Sequence, residues 1–78
     1  MRKKERKLII TFSTTVDAMA AEAACREHGG AGRLIPVPRA ISAGCGLAWC
    51  GEIRQREVLL EMIRSAGILE EAVQELEI

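Results

Sequence analysis

The sequence predicts an α+β domain: a four-stranded antiparallel sheet with two helices on one face. Three observations predict it. Short runs of Leu, Ile, Val, Thr and Phe read as strands. Two longer stretches repeat apolar residues at helical spacing. Glycine and proline separate these segments in the order β-α-β-β-α-β. The chain is 78 residues long, which is one small domain, and such a chain buries only roughly two-thirds of its unfolded surface.

Each element has a local reason. Lys7 to Phe12 is nearly continuous in apolar character, as a central strand is. Ser13-Thr14-Thr15 stops it. Thr14 followed by Asp17 resembles a capping box, with Asp where Glu is usual. A helix is expected from Thr15 to His28, ended by Gly29-Gly30. Val16, Met19, Ala20 and Ala23 fall on one of its faces and form the expected core stripe. Cys25 falls off that stripe, beside Ala18 and Ala21. His28, at the helix C-terminus, is placed to meet the last carbonyls.

Arg33 to Val37 is the second strand. Pro36 has no N–H to donate, so this strand is an edge or ends there. Pro38 to Gly46 is irregular. Cys45 to Cys50 reads as the third strand, broken by Gly51-Glu52. A second helix runs from Arg54 to Ala66, with Leu59, Met62, Ile63 and Ala66 at core spacing, and Gly67 is its left-handed terminator. Ala72 to Ile78 is the last strand. Two right-handed split βαβ units of this kind make a ferredoxin-like βαββαβ sandwich. The domain is expected over residues 7–78, behind a basic arm at residues 1–6. One sheet face is left bare, and homodimerisation through it is the expected partner contact.

Composition excludes several classes of function. The 49% hydrophobic content supports one core, which Leu, Ile, Val, Met and Ala must fill because Phe12 and Trp49 are the only aromatics. There is no space for a dinucleotide-binding domain or a barrel, so any active site is shallow. Net charge is zero, which argues against a nucleic-acid binder, as does the lack of stacking aromatics. Charge is nevertheless polarised. Arg2, Lys3, Lys4, Arg6 and Lys7 oppose Glu5 at one end, and Glu70, Glu71, Glu75 and Glu77 gather at the other. The apolar run after the basic arm is too short and too polar for a secretory signal. No segment reaches the roughly 18 apolar residues of a membrane span. Cytoplasmic residence is expected.

The three cysteines, Cys25, Cys45 and Cys50, are odd in number and show no C-x-x-C spacing. Paired disulfides and a zinc site are therefore not expected, and His28 is the only histidine. Cys45 and Cys50 differ in parity, so in one regular strand their sulfurs point to opposite faces. Cys50 reads as a buried or half-buried thiol and Cys25 as an incidental one.

Cys45 differs because it stands between Gly44 and Gly46. Glycines leave a sulfur unshielded and leave backbone N–H groups free to form an anion-binding nest. Arg39 lies six residues upstream, and Ser42 adds a hydroxyl donor. Positive charge and N–H donors favour thiolate over thiol, and the thiolate is the nucleophile. The competing reading makes Cys45 a small apolar residue of a tight turn.

Leu8-Ile9-Ile10-Thr11-Phe12-Ser13-Thr14, Asp17-Ala18, Arg33 to Arg39 and Ile41 to Ala48 together resemble the selenium/sulfur carrier protein-like family of short bacterial domains. The resemblance spans Lys7 to Ile78. The Pro-Val-Pro-Arg…Ser-x-Gly-Cys-Gly stretch carries most of it. It implies a carrier cysteine at Cys45, holding sulfur as a persulfide or selenium as its analogue, with Arg39, Ser42, Gly44 and Gly46 around it and no cofactor. It also implies partners: a cysteine desulfurase or other chalcogen donor, and an acceptor enzyme. The chain would then be at most a relay rather than an independent catalyst. The alternative is a non-catalytic module whose Arg39-to-Gly46 loop binds a protein or an anion.

Overall fold

A computed structural model describes residues 5–30, 32–38, 41 and 46–77. The strands are β1 (Arg6–Thr11), β2 (Arg33–Pro36), β3 (Leu47–Gly51) and β4 (Ala72–Glu77), and the helices are α1 (Thr15–Glu27) and α2 (Arg56–Ser65). The sheet order is β2-β3-β1-β4, and every neighbouring pair is antiparallel. This is the ferredoxin-like α+β arrangement that the element order predicts. β1 and β3 take the centre, where Leu8, Ile9, Ile10, Ala48 and Trp49 are fully buried. Pro36 ends the edge strand β2, as its missing N–H requires.

Both helices pack on one sheet face. Leu8, Ile10, Phe12 and Trp49 from the sheet side meet Ala18, Ala21 and Cys25 of α1 and Leu59, Leu60 and Ile63 of α2 in one core. Thr14 caps α1, its hydroxyl oxygen accepting from the Asp17 N–H at 3.1 Å. His28 occupies the C-cap, where its own backbone N–H donates to the Ala24 carbonyl at 3.2 Å. Gly29 and Gly67 then take positive φ, +75° and +81°. In both helices the next N–H reaches back to the third-last helical carbonyl, Gly30 to Cys25 and Ile68 to Ile63. Both ends are therefore Schellman motifs.

Five expectations are corrected. The buried stripe of α1 is Ala18, Ala21, Ala24 and Cys25, whereas Val16 and Met19 are exposed. The charges of α1 are scattered around it and its alanines lie on several sides, so spacing alone does not fix the buried face. Phe12 and Trp49 project from the sheet side and fill the volume beneath the helix, so the stripe of small residues faces them. Cys25 is consequently a core residue and not an incidental one. The third strand begins at Leu47 rather than Cys45 and includes Gly51. The second helix is divided: Ile53–Gln55 forms one 3₁₀ turn before α2 starts at Arg56. On α2, Leu60 is buried in place of Ala66, which is exposed, and Met62 is half-buried.

The face away from the helices carries a second apolar cluster, made of Ile9, Ile41, Ala48 and Cys50, with Ile35, Val37 and Leu76 packed alongside. Ile41 comes from the β2–β3 connection. Part of the face expected to be bare is therefore covered from within the chain. Among the described residues, no helix is long and apolar enough to cross a membrane.

Candidate functional site

The sequence places its candidate site in the connection between β2 and β3. Arg39, Ser42, Gly44 and Cys45 lie outside the described residues. What is described is how that connection is held. At its neck the Val37 N–H donates to the Gly46 carbonyl at 2.9 Å. Gly46 has φ +80° and open space where a Cβ would stand. That conformation is costly for other residues, so the glycine lets the chain turn into β3 directly after Cys45. Near the start of the connection, the Ile41 N–H donates to the Pro38 carbonyl at 2.9 Å.

Ile41 itself is 7% exposed and packs with Ile9, Ala48 and Cys50. Fully burying such a side chain contributes roughly 1.5–3 kcal/mol. That exceeds or matches the backbone entropy of about 1–2 kcal/mol lost in fixing one residue. The connection is thus fixed to the sheet at Ile41 and closed at Val37 and Gly46. Sequence reading did not single out Ile41. Its signal was an isolated large aliphatic residue in a Pro- and Gly-rich stretch.

The other two thiols have described surroundings. Cys25 is fully buried in the helix-side core, and burial pushes its thiol above the ordinary value. Cys50 lies on the opposite sheet face, cross-strand from Ile9 and Arg33. Burial raises its pKa most strongly. The positive charges of Lys7 and Arg33 oppose that, and Glu52 adds to it, so the net displacement is upward. Lys7 is itself neutralised locally, its ammonium lying 3.1 and 3.3 Å from the Glu52 carboxylate oxygens and 3.3 Å from Glu5. Neither buried thiol has the anion-stabilising surroundings of a reactive cysteine.

β3 starts at Leu47, and Cys45, whose sulfur the parity argument set opposite to that of Cys50, lies outside the described residues. Cys50 is buried, as the sequence indicates. Among the described residues, no group of three or more His, Cys, Asp or Glu side chains is placed to hold a metal ion.

No match was found among curated proteins or among solved structures. One family model does match, that described as Putative Se/S carrier protein-like, and it aligns with residues 7–75. That span takes in both helices, β2, β3, the whole β2–β3 connection and most of β1 and β4, and on it the chain belongs to the Se/S carrier protein-like family.

Proposed function

We propose that this protein carries sulfur or selenium on Cys45, as a persulfide or its selenium analogue, between a donor and an acceptor enzyme. The observation that carries the reading is the fate of the other thiols. Cys25 and Cys50 are both buried and both shifted away from the thiolate form. Cys45 is the remaining cysteine, and it sits between two glycines downstream of Arg39 and Ser42. The family description, Putative Se/S carrier protein-like, supports the carrier part of the reading.

In the transfer, the Cys45 thiolate attacks the terminal sulfur of a donor persulfide. The donor's S–S bond breaks and its cysteine leaves as a thiolate. The acceptor later attacks the same terminal atom on Cys45. Each step exchanges one S–S bond for another, so no external oxidant or cofactor is consumed. Arg39, Ser42 and the N–H groups near Gly44 and Gly46 supply positive charge and hydrogen bonds to the sulfur anion. A reducing cytoplasm suits such a thiol.

Intact-mass spectrometry of protein purified without reductant, with peptide mapping, tests this. A gain of about 32 Da for sulfur or about 79 Da for selenium on Cys45 is expected. Adducts confined to Cys25 or Cys50, or no Cys45 adduct after treatment with inorganic polysulfide, reject the carrier role. A protein- or anion-binding loop then becomes the better reading.

A further inference from the structure

The described residues with positive φ are Gly29, Gly32, Gly46 and Gly67. All but Gly46 have a reason in the fold. Gly29 and Gly67 follow the C-caps of the two helices, and Gly32 has no room for a side chain beside Trp49 and the Cys50 carbonyl. Gly46 ends no helix, and nothing lies within 4 Å of the place where its Cβ would stand. Its φ of +80° therefore serves the path of the backbone and not the packing.

The β2–β3 ladder shows what that angle does. The two strands pair antiparallel as far as Pro36 opposite Leu47, and Val37 opposite Gly46 is the next position in the same register. A hydrogen-bonded antiparallel pair exchanges two bonds, each residue donating its N–H to the other's carbonyl. Val37 and Gly46 make one of the two. The Val37 N–H donates to the Gly46 carbonyl at 2.9 Å, but the Gly46 N–H does not return the bond and has no acceptor among the described residues. A residue of an antiparallel strand has φ of about −140°. Rotation about the N–Cα bond swings the N–H and leaves the carbonyl in place. The positive φ of Gly46 thus keeps its carbonyl in the ladder and turns its N–H out of it.

Backbone N–H groups are seldom left without a partner, so a donor released from a sheet is available to water or to a solute. Gly46 is exposed, which leaves this one open. The N–H belongs to the peptide bond that joins Cys45 to Gly46. Its nitrogen is bonded to the carbonyl carbon of Cys45, a tie that holds whatever path the rest of the connection takes.

We propose that the Gly46 N–H, turned out of the sheet, donates to the sulfur or selenium anion on Cys45. The assignment rests on the carrier reading and narrows it. What the site needs at position 46 is left-handed backbone rather than a small side chain. A hydrogen bond to an anion is stronger than one to a neutral acceptor. The N–H therefore favours both charged forms of the carrier, the thiolate that takes up the chalcogen and the persulfide anion that holds it.

The test follows loading of Cys45 by inorganic polysulfide, read by mass. In that step the Cys45 thiolate bonds to an end sulfur, the adjacent S–S bond breaks, and the shorter polysulfide leaves with its charge. Full-length chain joined from synthetic segments at Cys45 can carry an ester in place of the Cys45–Gly46 amide, which deletes the N–H alone. Because that N–H makes no bond in the fold, the melting temperature is expected to stay unchanged. Loading of the ester chain is expected to slow about tenfold, the loss of one hydrogen bond to a charged group. Gly46→Val, whose branched side chain opposes positive φ, is expected to slow loading as well. Gly46→Asn, which adopts left-handed backbone more easily, is expected to recover most of the rate. Should Gly46→Val unfold the chain, the ester and Gly46→Asn carry the test. An ester chain that loads as fast as the unmodified chain overturns the assignment. So does an ester chain that melts lower, since the N–H is then bonded within the fold, or Gly46→Asn loading as slowly as the ester. If polysulfide fails to load Cys45 in the unmodified chain, the carrier reading fails, and the assignment falls with it.

Discussion

Gly32 lies flat against Trp49. A Cβ built on Gly32 would stand 2.8 Å from the indole Nε1 and would collide with the Cys50 carbonyl oxygen, and the residue has φ +131°. Trp49 is fully buried, and its indole N–H has no hydrogen-bond partner among the described residues. The largest core side chain is thus closed over by backbone that must carry no side chain. This explains a glycine just before β2.

Gly32→Ala should therefore be among the most damaging single-methyl changes in the chain. It adds a strained left-handed residue, at about 1–3 kcal/mol, to an overpacked contact of about 1–3 kcal/mol. A loss of roughly 3 kcal/mol is expected. At about 4–8 °C per kcal/mol for a domain this small, the melting temperature should fall on the order of 10–20 °C. Thermal melts followed by Trp49 fluorescence measure it. An unchanged melting temperature would show that the segment can move off the indole.

Stability should decline in alkali because of the two buried thiols. Cys25 and Cys50 hold their protons more tightly when folded than the ordinary thiol value of 9.0. Above that value the unfolded chain loses protons that the folded chain keeps. The unfolded state is then favoured increasingly as pH rises toward the folded values. Below it neither state ionises and the contribution is flat. Urea unfolding between pH 7 and pH 10 should show this slope, and Cys25→Ala with Cys50→Ala should flatten it. A double variant with the same slope assigns the effect to other groups.

Cys45 should alkylate faster than Cys25 and Cys50 at neutral pH, since the thiolate is the reacting species. Arg39→Ala should slow Cys45 several-fold and leave the other two unchanged. A hydrogen bond to a charged group is worth about 1.5–3 kcal/mol, but solvent screening leaves only part of that in the rate. Timed iodoacetamide labelling with peptide mapping gives all three rates at once. Equal rates for the three thiols would remove the chemical basis of the carrier reading.

Ile41→Ala should loosen the connection and uncover Cys50. The side chain covers Ile9, Ala48 and Cys50 on the outer sheet face, and truncating a buried isoleucine costs on the order of 2 kcal/mol or more. Iodoacetamide labelling of Cys50 should rise in the native protein, while Cys25, on the other side of the sheet, stays protected. Unchanged Cys50 protection would mean that other residues cover this face.

What the sequence by itself determined is mostly local. Thr14 before Asp17, Gly29 after His28 and Gly67 after Ala66 mark helix ends because a cap or a left-handed turn is decided within a few residues. Pro36 ends β2 for the same reason. The element order followed, and with it the antiparallel sheet and the shared helix face. The family was legible too, because the Pro-Val-Pro-Arg and Gly-Cys-Gly residues are constrained and closely spaced.

Tertiary structure decided what local chemistry leaves degenerate. α1 offers Val16, Met19, Ala20 and Ala23 or Ala18, Ala21, Ala24 and Cys25, and hydrophobicity favours the first. Phe12 and Trp49 already fill the space under the helix, so the small stripe turns inward and the larger residues are left in solvent. The burial of Cys25 and the cover that Ile41 gives to Cys50 both follow from how the layers meet. Each depends on volume and register shared between segments far apart in the chain, and no spacing within one segment encodes that.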